Sequence, residues 1–305
     1  MKKEARDVIV KMFCDMQNIT HNALEDKLEE VVSEFHAPSL LFLECLGTKQ
    51  FKERNNAFDG FFINMLHRSA NTLGSMVSLM STGYLQEAEI LSRTLSESTL
   101  TTQCLLKGNV SENISNYLAS YYVGQQWKND KWETVVNNNK NKSHLELIEE
   151  KNVVEEQAKN ICKEFIELAG GKWPIKPKSL SVDKIYKLLN REIEYRTVYR
   201  AMCGQSHQNQ EDIVNSLLYS LVNDPDIEKR TKAQKHCFSI FVCLWGIKYY
   251  VEAMVELGTH FKFQSVQHKS KLSLAVIEGH LEEVGASISK NSLPSGWSRS
   301  VIEGI

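Results

Sequence analysis

Residues 60–106 read GFFINMLHRSANTLGSMVSLM, then STG, then YLQEAEILSRTLSESTLTTQCLL. In the first block Phe61, Met65, Leu66, Leu73, Met76, Val77 and Met80 recur at the three- and four-residue spacing of an amphipathic helix. Ser81-Thr82-Gly83 supplies a turn, and Tyr84 to Leu106 returns as a second long helix, which makes an αα-hairpin. On that second helix one face carries Tyr84, Ala88, Leu91, Leu95 and Leu106. A different face carries Glu89, Arg93, Glu97, Leu100 and Cys104. A helix apolar on two sides belongs in the centre of a protein. The Arg93/Glu97 pair, one turn apart, is therefore expected indoors.

Outward from the hairpin, nearly every periodic segment has helical spacing. Residues 3–17 and 22–35 form amphipathic helices, with Asn22 as a cap for the second and His36-Ala37-Pro38 as its break. Residues 39–45 are apolar enough for a short buried helix. Trp127 to Lys142, rich in asparagine and lysine, reads as an exposed connection. His144 to Ala169 resumes as a helix ended by Gly170-Gly171, and Trp173-Pro174-Ile175-Lys176-Pro177 is extended or loop-like. Ser181 is a good N-cap for a helix running to about residue 203. Asp212 to Val222 continues the core, Asn223-Asp224-Pro225 introduces a helix over 227–258, and a loose tail begins near Ser287. The expected fold is an all-α bundle in one domain: residues 1–57 as N-terminal helices packing on the core, 58–258 as the core with an insertion near 127–180, and 259–305 as a C-terminal helix and tail.

Composition narrows the function classes. In 305 residues there are only five prolines and fifteen glycines, which disfavours a turn-rich β architecture; hydrophobic residues make up 42% and charged ones 24%, as in ordinary globular proteins. A formal net charge of −2 gives no global basic field, so any nucleic acid must meet a local patch. The seven cysteines form no CxxC pair, and the charged start Met-Lys-Lys-Glu-Ala-Arg-Asp lacks a signal-peptide pattern. A cytoplasmic protein with reduced thiols is expected. No Walker loop, GxGxxG or zinc spacing is present, so no cofactor and no metal are expected.

The segment Tyr199-Arg200-Ala201-Met202-Cys203-Gly204-Gln205-Ser206-His207 carries the candidate chemistry. Read as one helix from Ser181, its inward stripe holds Ile185, Leu189, Ile193 and Cys203, together with Glu192, Arg196 and Arg200. Its outward face holds Asp183, Lys187, Asn190, Arg191, Glu194 and Thr197. A buried arginine must be paired or offered to a ligand. A guanidinium holds a phosphate through two parallel hydrogen bonds, and an imidazole moves a proton near neutral pH. Those are the two jobs that RNA cleavage through the 2′-hydroxyl requires. Equally, Arg200 could pair with Glu192 or Glu97 in the core while His207 caps a helix end. Arg93 reads as a second phosphate ligand, or Glu97 orients Arg200 or His207; alternatively the pair is an internal salt bridge that fixes bundle register. Tyr117, Tyr121 and Tyr122 could stack a base or simply fill the core.

Arg200, six intervening residues and His207, at a helix end in an all-α protein, resemble the Arg-x(4–6)-His motif of HEPN domains. The hairpin text from Met80 to Glu97, followed roughly a hundred residues later by Tyr199-Arg200 and Ser206-His207, is also similar to a bacterial family of uncharacterised helical proteins. The resemblance covers about residues 58–255. It implies a metal-independent ribonuclease, a toxin or phage-defence effector working as a homodimer, with RNA as substrate, 2′,3′-cyclic phosphate ends as product, and an antitoxin or defence complex as partner. By the resemblance Arg200 would stabilise the phosphate and His207 would act as acid and base, with Arg93, Glu97, Arg196, Tyr199 and Ser206 binding or orienting the substrate. This chain departs from the family pattern in carrying Ala201 after the arginine and in its greater length. The alternatives are a non-catalytic helical scaffold or regulatory subunit, and a nucleotide-binding sensor.

Overall fold

The computed structural model describes residues 3–20, 24–54, 56–139, 142–206, 214, 217, 225–290 and 296–297. Every regular element among them is helical. In chain order they are α1 (Lys3–Gln17), α2 (Asp26–Leu46), α3 (Lys49–Lys52), α4 (Asp59–Ser81), α5 (Leu85–Leu105), α6 (Val110–Asn138) and α7 (Lys142–Leu168). There follow α8 (Val182–Leu188), α9 (Glu192–Glu194), a π-helical turn (Tyr195–Tyr199), α10 (Arg200–Ser206), α11 (Pro225–Phe261) and α12 (Gln264–Lys290).

The core is built round α5 and α11. The expected hairpin is present: α4 packs on α5 through a turn in which Gly83 adopts φ +84°, a left-handed conformation glycine enters without strain. α11 lies along α5 on one side and α12 on the other, and α12 also packs on α2. Its Cys237, Cys243, Leu244, Ile247, Tyr250, Val251, Met254 and Leu257 are all fully buried. Gly246, which interrupts the apolar run in the sequence, marks the close crossing with α5. A Cβ there would meet Ser92 Oγ at 2.5 Å and the Ser92 Cα and carbonyl oxygen at 3.3 Å. The stretch Arg230–Phe261 is long and apolar enough to cross a membrane, yet 67% of its apolar window is buried among the other helices.

Several expectations are corrected. Pro38 does not break the second helix: α2 runs through it to Leu46, absorbing the expected 39–45 helix. Proline forfeits one helical hydrogen bond, but Val31 to Pro38 are all buried, and that packing outweighs the loss. Asn22 lies outside the described residues, and α2 starts instead after Glu25. The Asn/Lys-rich stretch is helix, not connection, as far as Asn138. α6 continues into it because one asparagine is internal: Asn129 is 2% exposed and donates to Asn152 Oδ1 (2.7 Å) and Glu155 Oε2 (2.8 Å) of α7, while Lys151 Nζ donates to its Oδ1 (2.9 Å). Of Asp212–Val222 only positions 214 and 217 are described, and Val214 and Leu217 are exposed there. At the C-terminal end α12 extends to Lys290, and Trp297 is buried beside His280, with ring centroids 5.6 Å apart.

Candidate functional site

The 181–206 region is not one helix. α8 ends at Leu188, Asn190 takes a left-handed φ of +58°, and the chain restarts at Glu192 and passes through the π turn. Ser181 occupies the N-cap position of α8 with extended backbone angles but makes no capping hydrogen bond. The left-handed residue and the wider π turn both reset the helical phase, so the expected inward stripe is rotated from residue 190 onward. Glu192, Ile193, Arg196 and Arg200 are exposed. Arg191 and Glu194, expected outside, are half-buried: Arg191 Nη2 reaches Glu252 Oε2 at 2.7 Å, and Tyr249 donates to Glu194 Oε2 at 2.8 Å. What anchors the segment is Val198, Tyr199 and Met202, all buried, with Ser96 of α5 donating to Met202 Sδ at 3.6 Å. Arg200, about 200° round a helix from residues 198 and 202, is left facing solvent.

From α5 the polar face meets this segment. Arg93 Nε donates to Glu97 Oε1 at 2.9 Å, and the Tyr199 hydroxyl donates to the same oxygen at 2.7 Å. The Arg93 guanidinium carbon also stands 5.6 Å from the Tyr199 ring centroid. Tyr199 stacks on Tyr195 at 5.4 Å and 15°, and Arg196 lies 5.7 Å from the Tyr195 ring. The result is a ladder of Arg93, Tyr199, Tyr195 and Arg196, running from the half-buried α5 pair to the surface, with cation–π contacts at both ends. Burial opposes the charge on Arg93, but the Glu97 hydrogen bond and nearby partners prevail and its pKa is raised. The Tyr199 hydroxyl is pushed well above its ordinary value, by burial first and by Glu97 next, so it is a donor held in place.

The sequence-predicted residues therefore divide. Arg93, Glu97 and Tyr199 come together; Tyr199 is buried, while the Arg93/Glu97 pair is half-buried rather than fully indoors. Arg196 and Arg200 sit on the outer side of the same segment. Glu97 reaches Tyr199, the neighbour of Arg200. Ser206 ends α10, and His207 lies outside the described residues. Tyr121 is 54% exposed on α6, while Tyr117 packs against Phe61 with centroids 6.3 Å apart.

One residue without an assigned role is Glu89, a turn before Arg93. It is 1% exposed and accepts a short hydrogen bond from Ser239 of α11. Burial and then Glu89 hold the Cys243 thiol pKa well above its usual value. The signal was the spacing Glu89, Arg93, Glu97, one charge per turn along one face of the helix. Arg191 and Glu194 were missed for the opposite reason, since the straight-helix phase placed them outside.

The profile of a family of unknown function, DUF5677, matches residues 59–227. The chain belongs to that family. The matched span runs from the start of α4 into α11 and so holds both the Arg93/Glu97 pair and the Arg196–Arg200 segment. No curated protein and no solved structure matches the chain.

Proposed function

We propose that this chain is an HEPN-like, metal-independent endoribonuclease acting as a homodimer, a toxin or antiphage effector that leaves 2′,3′-cyclic phosphate ends. The observation that carries the reading is the 2.7 Å hydrogen bond from Tyr199 to Glu97. It ties the Arg93/Glu97 pair to the residue beside Arg200, so the two separated motifs form one construction. Arg200 and Arg196, exposed on a helix pinned from behind, are available to an anion; an RNA phosphate fits a guanidinium fork. In this reading Arg200 stabilises charge on the phosphorane-like transition state and His207 moves the proton of the 2′-hydroxyl. Arg93, Glu97 and Tyr199 position the segment, and Ser206 adjoins the histidine.

The scaffold reading is favoured by a different observation: Arg93 is already engaged by Glu97. The product separates the two. Purified protein incubated with RNA in chelator is expected to yield 2′,3′-cyclic phosphate and 5′-hydroxyl ends; cleavage that requires magnesium, or 5′-phosphate ends, contradicts the proposal.

A further inference from the structure

Away from α5 and α10, a cavity of about 390 Å³ lies between α1, α2 and α4 and reaches the central helix α11. Phe13, Phe35, Phe42, Leu73 and Tyr250 form its inner wall, each no more than 3% exposed. Met16 and Leu43 stand at its edge, 59% and 57% exposed. Protein interiors seldom leave voids much larger than a water molecule, while ligand pockets of about 300–1,000 Å³ are apolar with a few placed polar groups. No Lys, Arg, Asp or Glu lines this cavity. A charged occupant would be desolvated there with nothing to pair it.

Asn64, His67 and Asn71 line it at the exposed edge and Gln17 is half-buried beside them, while Ser39, His36 and Tyr250 contribute polar groups on the α2 and α11 sides. Ser39 Oγ donates to the Phe35 carbonyl at 2.9 Å and lies 2.9 Å from the Tyr250 hydroxyl, so those groups are mutually satisfied. His36 is different: it is 6% exposed, and its Nε2 is buried without a hydrogen-bond partner. Burial lowers its pKa to about 4, so the imidazole is neutral near pH 7. A neutral ring nitrogen of this kind can accept or donate one hydrogen bond, according to tautomer.

We propose that this cavity binds an uncharged, largely aromatic small molecule that offers one hydrogen-bonding group to His36. The aromatic wall fits flat rings edge-on or stacked. The lining includes Tyr250 of the central helix as well as Met16 and Leu43 at the edge, so the space extends inward from the surface. This inference is independent of the ribonuclease reading, since none of the residues named for that reading lines the cavity.

The test uses the full chain and N-phenyl-1-naphthylamine, a neutral bicyclic-plus-phenyl dye with one N–H and strong fluorescence in apolar sites. The expected result is saturable binding with one dye per chain. Ala70→Phe, which fills the cavity from α4, should abolish it while the melting temperature is kept or raised. His36→Phe keeps the ring and removes the nitrogens; it should weaken binding about five- to tenfold, the share of one hydrogen bond. Non-saturable fluorescence, or binding unchanged by Ala70→Phe in a folded variant, overturns the site. Unchanged binding in His36→Phe overturns the polar anchor. If the protein sediments as a dimer that Leu43→Glu splits, and the dye binds only the split form, a second copy is the occupant and the proposal fails.

Discussion

Arg93, Glu97 and Tyr199 share one carboxylate oxygen between two donors, and that sharing sets how each responds to change. Tyr199→Phe removes one donor and keeps the ring that stacks on Tyr195. It should cost about 0.5–1.5 kcal/mol in chemical denaturation, the net worth of such a bond. Glu97→Ala removes the acceptor from both and should cost more. His36 gives a pH effect. The unfolded chain takes up this proton near the ordinary value of 6.5, whereas the folded chain takes it up only near about 4. The neutral form is thus favoured by folding, so its stability is fully present above pH 6.5 and is lost as pH falls toward 4. The slope should approach about 1.4 kcal/mol per pH unit within that window. His36→Phe should flatten the denaturation-versus-pH curve there; an unchanged slope would assign the acid sensitivity to other groups.

At the scale of elements, the α6–α7 hairpin and the Asn190 break are two of the places where the sequence misled, and each has a physical cause. Asparagine and lysine in Trp127–Lys142 suggested a loop because composition averages over a helix's two sides. Among the described residues of that stretch the buried ones are Asn129 and Val136, too few to show as a stripe. Asn129→Ala strips three hydrogen bonds from that interface. It should speed amide exchange in α6 and α7 while leaving α5 and α11 amides unchanged, as expected where a unit opens locally. If all four helices accelerate together, the hairpin is not a separate unit. In the 182–206 segment the apolar spacing was legible and Ile185 and Leu189 are indeed buried. A single left-handed residue is invisible to a periodicity argument, yet it rotated every later side chain. The α4–α5 hairpin was legible because nothing interrupts its phase.

The whole molecule depends on how closely α5 and α11 approach. Gly246 permits the contact with Ser92, whose hydroxyl donates to the Val242 carbonyl at 2.8 Å. Gly246→Ala puts a methyl group against backbone atoms and should destabilise the fold by about 1–3 kcal/mol; an equally stable variant would mean the crossing is looser than described. The all-α bundle follows from stripes that run the length of most helices. The site follows less directly, because it needs two segments a hundred residues apart in the chain to meet, and only their coming together through Tyr199 and Glu97 supports reading them as one. The ribonuclease reading is tested most directly by comparing His207→Ala with the wild-type protein for RNA cleavage in chelator, with melting temperatures measured on the same samples. Cleavage is expected to disappear in the variant while its melting temperature stays close to that of the wild type. A variant that still cuts RNA at the wild-type rate, or a wild-type protein that never cuts it, contradicts the ribonuclease proposal.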